Sequence, residues 1–374
     1  MAGLGKSEWN TMNNRNKLRI IHLTTDSAIG GTERMILQTA CGLNKDRFES
    51  VVISLMPGGP LGEMCEKNNI PFFTPCFKSK TDFGALIRLV YYLRKNKGDI
   101  LHTYLFHSNI LGRIIGKLIG YKYIISSQRN VDLWRKWYHN YIDKMTSSLC
   151  SVIVSNSIAG KKYLVEQAGI KEDKVVVIHN GLDVEKYPVR EKNIGILNII
   201  NIASLTEKKG HKYLFDAISK LAQSGVDFKL YLIGKGKLEN YLRYKSKELG
   251  LDDKIFFEGY SDNITSYLQN ADIFVLPSLW EGLPVALMEA MACGVACIAS
   301  DVGDVKELIK NEEDGLIVEP KNVDQITNSI LRLINDRDFM ERIGSSARKK
   351  IKKYFSSVKM INSFEKLYNQ IVEG

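Results

Sequence analysis

Two glutamates eight residues apart, Glu281 and Glu289, frame the run EGLPVALMEAMACG, and that spacing carries the clearest chemical signal in the chain. In a helix, eight residues return to within roughly 80° of one direction and advance roughly 12 Å. Both carboxylates can therefore line one side of a pocket and accept hydroxyl hydrogens from a sugar ring and a ribose. Gly282 lets backbone approach a ligand closely, and Pro284 suits a first helical turn, where its missing N–H costs nothing. The amides of Gly282 and Leu283 then face outward at a positive helix end, which is an anion site. Read as structure alone, Glu281 is an acid favouring the helix dipole and Glu289 is solvated. Leu287, Met288, Ala290 and Met291 surround Glu289 with apolar side chains, which favours the functional reading.

Other loops are less specific. In ASLTEKKG, Lys209 stands beside Gly210 before a helix, an arrangement that suits a phosphate and equally a surface lysine. In AIGGTE, Gly30 and Gly31 permit close approach to a phosphate or sugar, or make a tight strand-to-helix turn. Gly234-Lys235-Gly236 lacks the third glycine of a dinucleotide fingerprint and reads as a turn. His102 falls within a strand and reads as a satisfied core residue. His107 follows in the loop and reads as a substrate contact rather than a general base. The stretch from Arg129 to Tyr138 mixes cations with Trp and Tyr. It suits a lipid headgroup layer or an ordinary cation-rich helix face.

The elements that must hold these loops alternate. Short β-branched runs at 17–24, 50–55, 71–76, 100–103, 123–127, 151–155 and 174–178 are separated by amphipathic helical stretches. After a polar patch at 185–193, the best linker candidate, the alternation restarts with strands at 197–203, 228–233, 255–258, 273–276, 296–299 and 315–318. Three helical stretches close the chain. This pattern predicts an α/β protein of two doubly wound, Rossmann-like domains facing a central cleft, with ligands at the carboxyl ends of parallel strands.

Composition bounds the function. The 374 residues carry a net charge of +10. Residues 1–190 hold 27 Lys/Arg and 16 Asp/Glu, a net of +11, whereas residues 191–374 hold 25 and 26, a net of −1. A basic first half suits an acidic partner or an anionic surface. No run reaches the 18 or so apolar residues of a membrane span. The polar first 17 residues lack the apolar region of a secretory signal and read as a disordered leader. Six scattered cysteines without a histidine cluster predict buried free thiols in a reducing cytoplasm, not zinc. No nucleic-acid-binding module is recognisable.

The run EGLPVALMEAMACGVACIASDVGDVKELI resembles the signature of family 4 retaining glycosyltransferases. IGGTERMIL, DILHTYLFHSNILGR, VIHNGLDVEKY and ASLTEKKGHKYLFDAI agree with it, so the resemblance spans about 18–345. It implies the GT-B architecture: an acceptor-binding domain at 18–190, a nucleotide-sugar-binding domain at 191–345, and helices at 346–374 returning to the first domain. It implies that Lys209 and Glu281 carry catalysis. Donor contacts would come from Gly30, Gly31, Ser204, Lys209, Gly259, Glu281, Gly282, Leu283 and Glu289, and acceptor-side contacts from His107 and Arg129. Two departures stand out. The family pairs the lysine with an arginine five residues earlier, where this chain has Ser204, and the second His of its His-x-His strand end is Tyr104. Arg113, Arg129 and Lys208 are the candidate replacement cations. The expected reaction is retaining transfer of a hexose from a nucleoside diphosphate sugar, with a UDP-sugar favoured, to a lipid-linked glycan hydroxyl. No Asp-x-Asp lies on a suitable loop, so neither metal nor cofactor is expected. The expected location is the cytoplasmic face of the cell membrane, held by the basic domain. A sugar-nucleotide epimerase and a catalytically silent sugar-nucleotide binder are the alternatives.

Overall fold

β-branched runs buried on both faces assemble into parallel sheets, because only such sheets need apolar side chains on both sides. The computed structural model describes residues 17–28, 30–79, 81–128, 135–191, 195–261 and 263–374. The chain divides into two compact units.

Unit 1 comprises Met1–Ser155, Leu164–Val176 and Ile361–Gly374. Its elements begin with β1 (Leu18–Thr24), α1 (Gly31–Gly42), β2 (Phe48–Ser54), α2 (Leu61–Lys67), β3 (Phe72–Phe73) and α3 (Phe83–Lys95). β4 (Ile100–Tyr104), α4 (Phe106–Leu118), β5 (Tyr123–Gln128), α5 (Trp137–Ser147), β6 (Val152–Ser155), α6 (Ile158–Glu166) and β7 (Val175–Val177) follow, with Ile158–Tyr163 of α6 and Val177 of β7 counting with unit 2. The sheet order is β3-β2-β1-β4-β5-β6-β7. One sheet face carries Ile21, Leu23, Val51, Ile53 and Leu101 against Leu89 and Leu93 of α3 and Ile115 of α4.

Unit 2 comprises Asn156–Tyr163 and Val177–Met360. It runs β8 (Leu197–Ile202), α7 (His211–Gln223), β9 (Phe228–Ile233), α8 (Glu239–Glu248), β10 (Ile255–Gly259), α9 (Ile264–Gln269) and β11 (Ile273–Leu276). Then come α10 (Val285–Ala292), β12 (Ala296–Ser300), α11 (Val305–Leu308), β13 (Leu316–Val318), α12 (Val323–Asn335) and α13 (Arg337–Tyr354). The sheet order is β10-β9-β8-β11-β12-β13, all parallel. The last helix, α14 (Ser357–Glu373), begins in unit 2, and its residues from Ile361 count with unit 1. There Tyr368 Oη meets His102 Nδ1 at 2.8 Å.

Strand order reverses between β1 and β4 and again between β8 and β11. Such switch points are where open α/β sheets bind ligands. The alternation of strands and helices is the one expected from sequence. The linker is not. Val177–Arg190 already belongs to unit 2, because the Arg190 guanidinium is buried against Asp272 and Glu341 and its amide donates to the Cys293 carbonyl at 2.7 Å. Of the charged residues described in the 185–193 patch only Arg190 is buried; Glu185, Lys186 and Glu191 are exposed. The leader lies outside the described residues, save Lys17.

Candidate functional site

β8 and β11 are paired, so the loops at their carboxyl ends are neighbours. The amide of Leu279 donates to the carbonyl of Lys208 at 2.8 Å and joins the two loops. Gly210, at φ +68°, stands where a Cβ would fall 1.9 Å from the Pro277 carbonyl oxygen. Gly303, at φ +55°, approaches the Glu281 carbonyl so closely that a Cβ would lie 2.0 Å away. Both positions need a left-handed backbone and no side chain. They hold the 277–281 segment from two sides.

That segment presents an ion pair. Lys209 Nζ donates to Glu281 Oε1 at 2.6 Å, and Ser278 Oγ donates to the same oxygen at 2.6 Å. Glu281 is only 6% exposed, so the pairing answers the cost of burying its charge. Lys208 Nζ lies 4.0 Å from the centroid of the Trp280 ring, within cation–π range. Loss of water at that contact pushes its pKa down, while Glu281 acts in the opposite direction. His211 is buried beside this loop, and burial lowers it to about 4. Its ring is therefore neutral near neutral pH, and the positive charge here belongs to Lys208 and Lys209. Lys208 and Lys209 are balanced across the two loops by Glu281 and the exposed Glu207, so an anion here would meet two placed ammonium groups rather than a net charge.

α10 begins directly after this loop. Among the described residues, the amides of Gly282 and Leu283 have no hydrogen-bond partner. A Cβ on Gly282 would meet nothing within 4 Å, so the fold's own packing does not demand glycine there. Glu289, one face along the same helix, is buried at 6% exposure, and its Oε1 accepts from Tyr187 Oη at 2.9 Å. Ser204 is exposed at the end of β8. Beside it, the Leu205 amide donates to the Lys235 carbonyl at 3.1 Å, and the Gly234 amide donates to the carbonyl of Gly259 at 2.7 Å. Unit 2 thus gathers Ser204, Lys209, Gly259, Glu281, Gly282, Leu283 and Glu289 at the carboxyl side of one sheet.

The remaining expected residues stand in unit 1. Gly30 caps α1, and its amide donates to Glu33 Oε2 at 3.2 Å. Thr24 donates to the other oxygen of Glu33, and burial raises that carboxyl's pKa. Gly31 has open space where a Cβ would stand. His107 is exposed at the start of α4, edge-on to Phe106. Arg129 lies outside the described residues. Arg113 is not a replacement cation: it is 1% exposed, with Nη1 on Asp143 at 2.6 Å and Nε on Ser126 at 2.8 Å. His102 is the satisfied core residue expected, bonded to Tyr368 and Ser127. The cysteines are free; Cys293 and Cys297 are buried behind α10, and burial pushes the Cys293 thiol to about 12.

Sequence reasoning missed Ser278, Trp280 and Tyr187. Ser278 carried a usable signal, since it precedes Glu281 by three residues in a loop that must fold back. Tyr187 carried none, being 102 residues from Glu289 within the supposed linker.

Residues 29–186 match the family described as Glycosyltransferase Family 4, and residues 189–350 match Glycosyl transferases group 1. The chain is 28% identical over 384 residues to the Escherichia coli UDP-Gal:alpha-D-GlcNAc-diphosphoundecaprenol alpha-1,3-galactosyltransferase, covering 95% of this chain and 98% of that one. It is 26% identical over 231 residues to a Campylobacter jejuni protein, covering 60% of this chain and 62% of that one. That protein is an N-acetylgalactosamine-N,N'-diacetylbacillosaminyl-diphospho-undecaprenol 4-alpha-N-acetylgalactosaminyltransferase. The solved structure of Anabaena Alr3699/HepE in complex with UDP superposes with a TM-score of 0.84 at 19% identity, covering 94% of this chain and 100% of that one.

Proposed function

This chain belongs to glycosyltransferase family 4, and from that premise we propose that it moves a hexose-type sugar from a UDP-sugar to a hydroxyl of a lipid-linked glycan, with retention at the anomeric carbon and without a metal. The observation that carries the reading is the Lys209–Glu281 pair at 2.6 Å beside the open start of α10. The relatives that act on diphosphoundecaprenol-linked sugars support the acceptor class.

The donor diphosphate binds the amides of Gly282 and Leu283 and the ammonium of Lys209, which turns from Glu281 toward it. Glu281 then accepts from donor sugar hydroxyls, and Glu289, held by Tyr187, accepts from the ribose. The bond from the anomeric carbon to the diphosphate oxygen breaks as the acceptor oxygen bonds to the same face. The acceptor proton passes to the departing diphosphate oxygen. Catalysis is electrostatic: cations and amides are aimed where charge develops. Lys208, held over Trp280, supplies the second cation that the serine at 204 lacks. The enzyme works at the cytoplasmic face of the cell membrane. Among the described residues, no helix is long and apolar enough to cross a membrane.

A panel of UDP-, GDP- and ADP-sugars in a thermal-shift assay identifies the donor. That donor is then incubated with membrane extract, with and without EDTA, and the product's anomer is resolved. An inverted product rejects the retaining route, and loss of activity with EDTA rejects metal independence. Donor consumed without any acceptor identifies an epimerase, and tight donor binding without turnover identifies a silent binder.

A further inference from the structure

Helix α5 is built inside out. Its buried residues are the polar Asp143 and Ser147. Trp137, Tyr141 and Met145, four residues apart, form an outward stripe at 79%, 58% and 59% exposure, flanked by exposed Tyr138 and Ile142. An ordinary surface helix does the reverse. α3 repeats the feature: beyond its buried Leu89 and Leu93 it exposes Phe83, Ile87 and Tyr91, again four apart. α3 and α4 pack on one face of the unit 1 sheet, and α5 is bonded to α4 through Arg113 and Asp143.

The exposed charges on these three helices and their caps have one sign. Arg88, Arg94, Lys95, Lys117, Lys136 and Lys144 are exposed. The carboxylates are Asp143, buried between Arg113 and Arg135 at 2.6 and 2.7 Å, and the half-buried Asp82, which caps α3 by accepting from the Ala85 amide. A second copy docking by a two-fold axis would press these cations against one another. We propose that the α3–α5 face docks on an anionic lipid bilayer, with the aromatic stripes at the headgroup level and the lysines and arginines on the lipid phosphates. The inference rests on the reading that the acceptor is lipid-linked, and it says which face of the protein meets the membrane that carries it.

The test uses the full chain in co-sedimentation with vesicles of phosphatidylglycerol and phosphatidylethanolamine, against phosphatidylcholine alone, with UDP-sugar binding measured in parallel. Capture by the anionic vesicles should fall with salt. The combined Trp137→Ser, Tyr141→Ser and Met145→Ser variant should lose at least about tenfold in partitioning. The Lys136→Glu, Lys144→Glu variant should lose about tenfold and flatten the salt dependence. Both should bind UDP-sugar as the parent does, which shows that they are folded. Capture that is equal on phosphatidylcholine, or untouched by the α5 substitutions, overturns the docking face. So does a dimer that the α5 substitutions dissolve in a chain that ignores vesicles. Anionic-vesicle capture without UDP-sugar binding instead removes the proposed function and leaves the docking face in place.

Discussion

A carboxylate and an ammonium 2.6 Å apart in a buried loop have a strong pairwise preference, yet the proposed reaction needs the lysine to leave its partner. Ser278 eases that exchange, because its hydroxyl stays on Glu281 Oε1 when Lys209 turns away. Lys209→Ala should therefore lower kcat by about a hundredfold to a thousandfold, the usual effect of removing one preorganised charge from a developing anion. Steady-state kinetics with the identified donor would read this, and a parental kcat would remove the role. Glu289→Ala should instead raise the donor KM by about tenfold or more with little change in kcat, since the lost hydrogen bond forms equally in ground and transition states. Ser204 permits a sharper test. If Lys208 supplies the missing cation, Lys208→Ala should lose activity and Ser204→Arg should restore it in the same chain. A double variant no better than Lys208→Ala would exclude that exchange of roles. Glu281 and Lys209 were legible as candidates because each sits at a strand-to-helix junction of distinctive composition, and Glu289 because it stands among apolar neighbours within α10. Arg113 misled as a free cation because its partner Asp143 lies 30 residues away, and sequence spacing does not show such pairs.

At the scale of elements, the site is a consequence of two adjacent strands ending level and two glycines letting their loops touch. The strands were legible since parallel, doubly covered strands read as unbroken β-branched runs. The burial of Arg190 was not, because Arg190 looks solvent-bound in sequence and is buried by partners 82 and 151 residues away. The backbone approach at Gly210 has a measurable weight. Gly210→Ala incurs the left-handed cost of roughly 1–2 kcal/mol and also drives a methyl to 1.9 Å from the Pro277 oxygen. Gly225 shares the left-handed backbone at φ +75° with nothing within 4 Å, so Gly225→Ala isolates the first cost. Urea unfolding should show Gly210→Ala clearly more destabilised than Gly225→Ala, together with weaker donor binding. Equal destabilisation would mean that the 277–281 loop yields freely and is not held by this contact.

At the scale of the whole molecule, the chain passes between its two units more than once, and the 156–163 segment counts with unit 2 although the residues on either side of it count with unit 1. Two carboxylates fasten it. The amide of Ala159 donates to Asp304 Oδ1 and that of Ile158 to Glu307 Oε1, both at 2.8 Å. The second oxygen of Glu307 lies 3.1 Å from His179 Nε2. Burial, then the hydrogen bond shared with Asp304, raises Glu307 from 4.5 to about 7. His179 is lowered by burial and does not supply a compensating charge near neutral pH. The folded state therefore holds a proton on Glu307 that the unfolded chain has already released. Its contribution to stability is complete below about 4.5 and is lost as pH rises through about 7. Glu307→Gln keeps an oxygen for Ile158 and an N–H for Asp304 but cannot ionise. Urea unfolding of both proteins at about pH 5 and about pH 8 should show the parent losing stability relative to the variant as pH rises. Above about pH 7 the variant should be the more stable, since the parent then confines an ionised Glu307 in a buried place. A stability difference that stays constant across that range would mean that Glu307 is ionised throughout, and that the 156–163 segment is fastened by the amide hydrogen bonds without a shared proton.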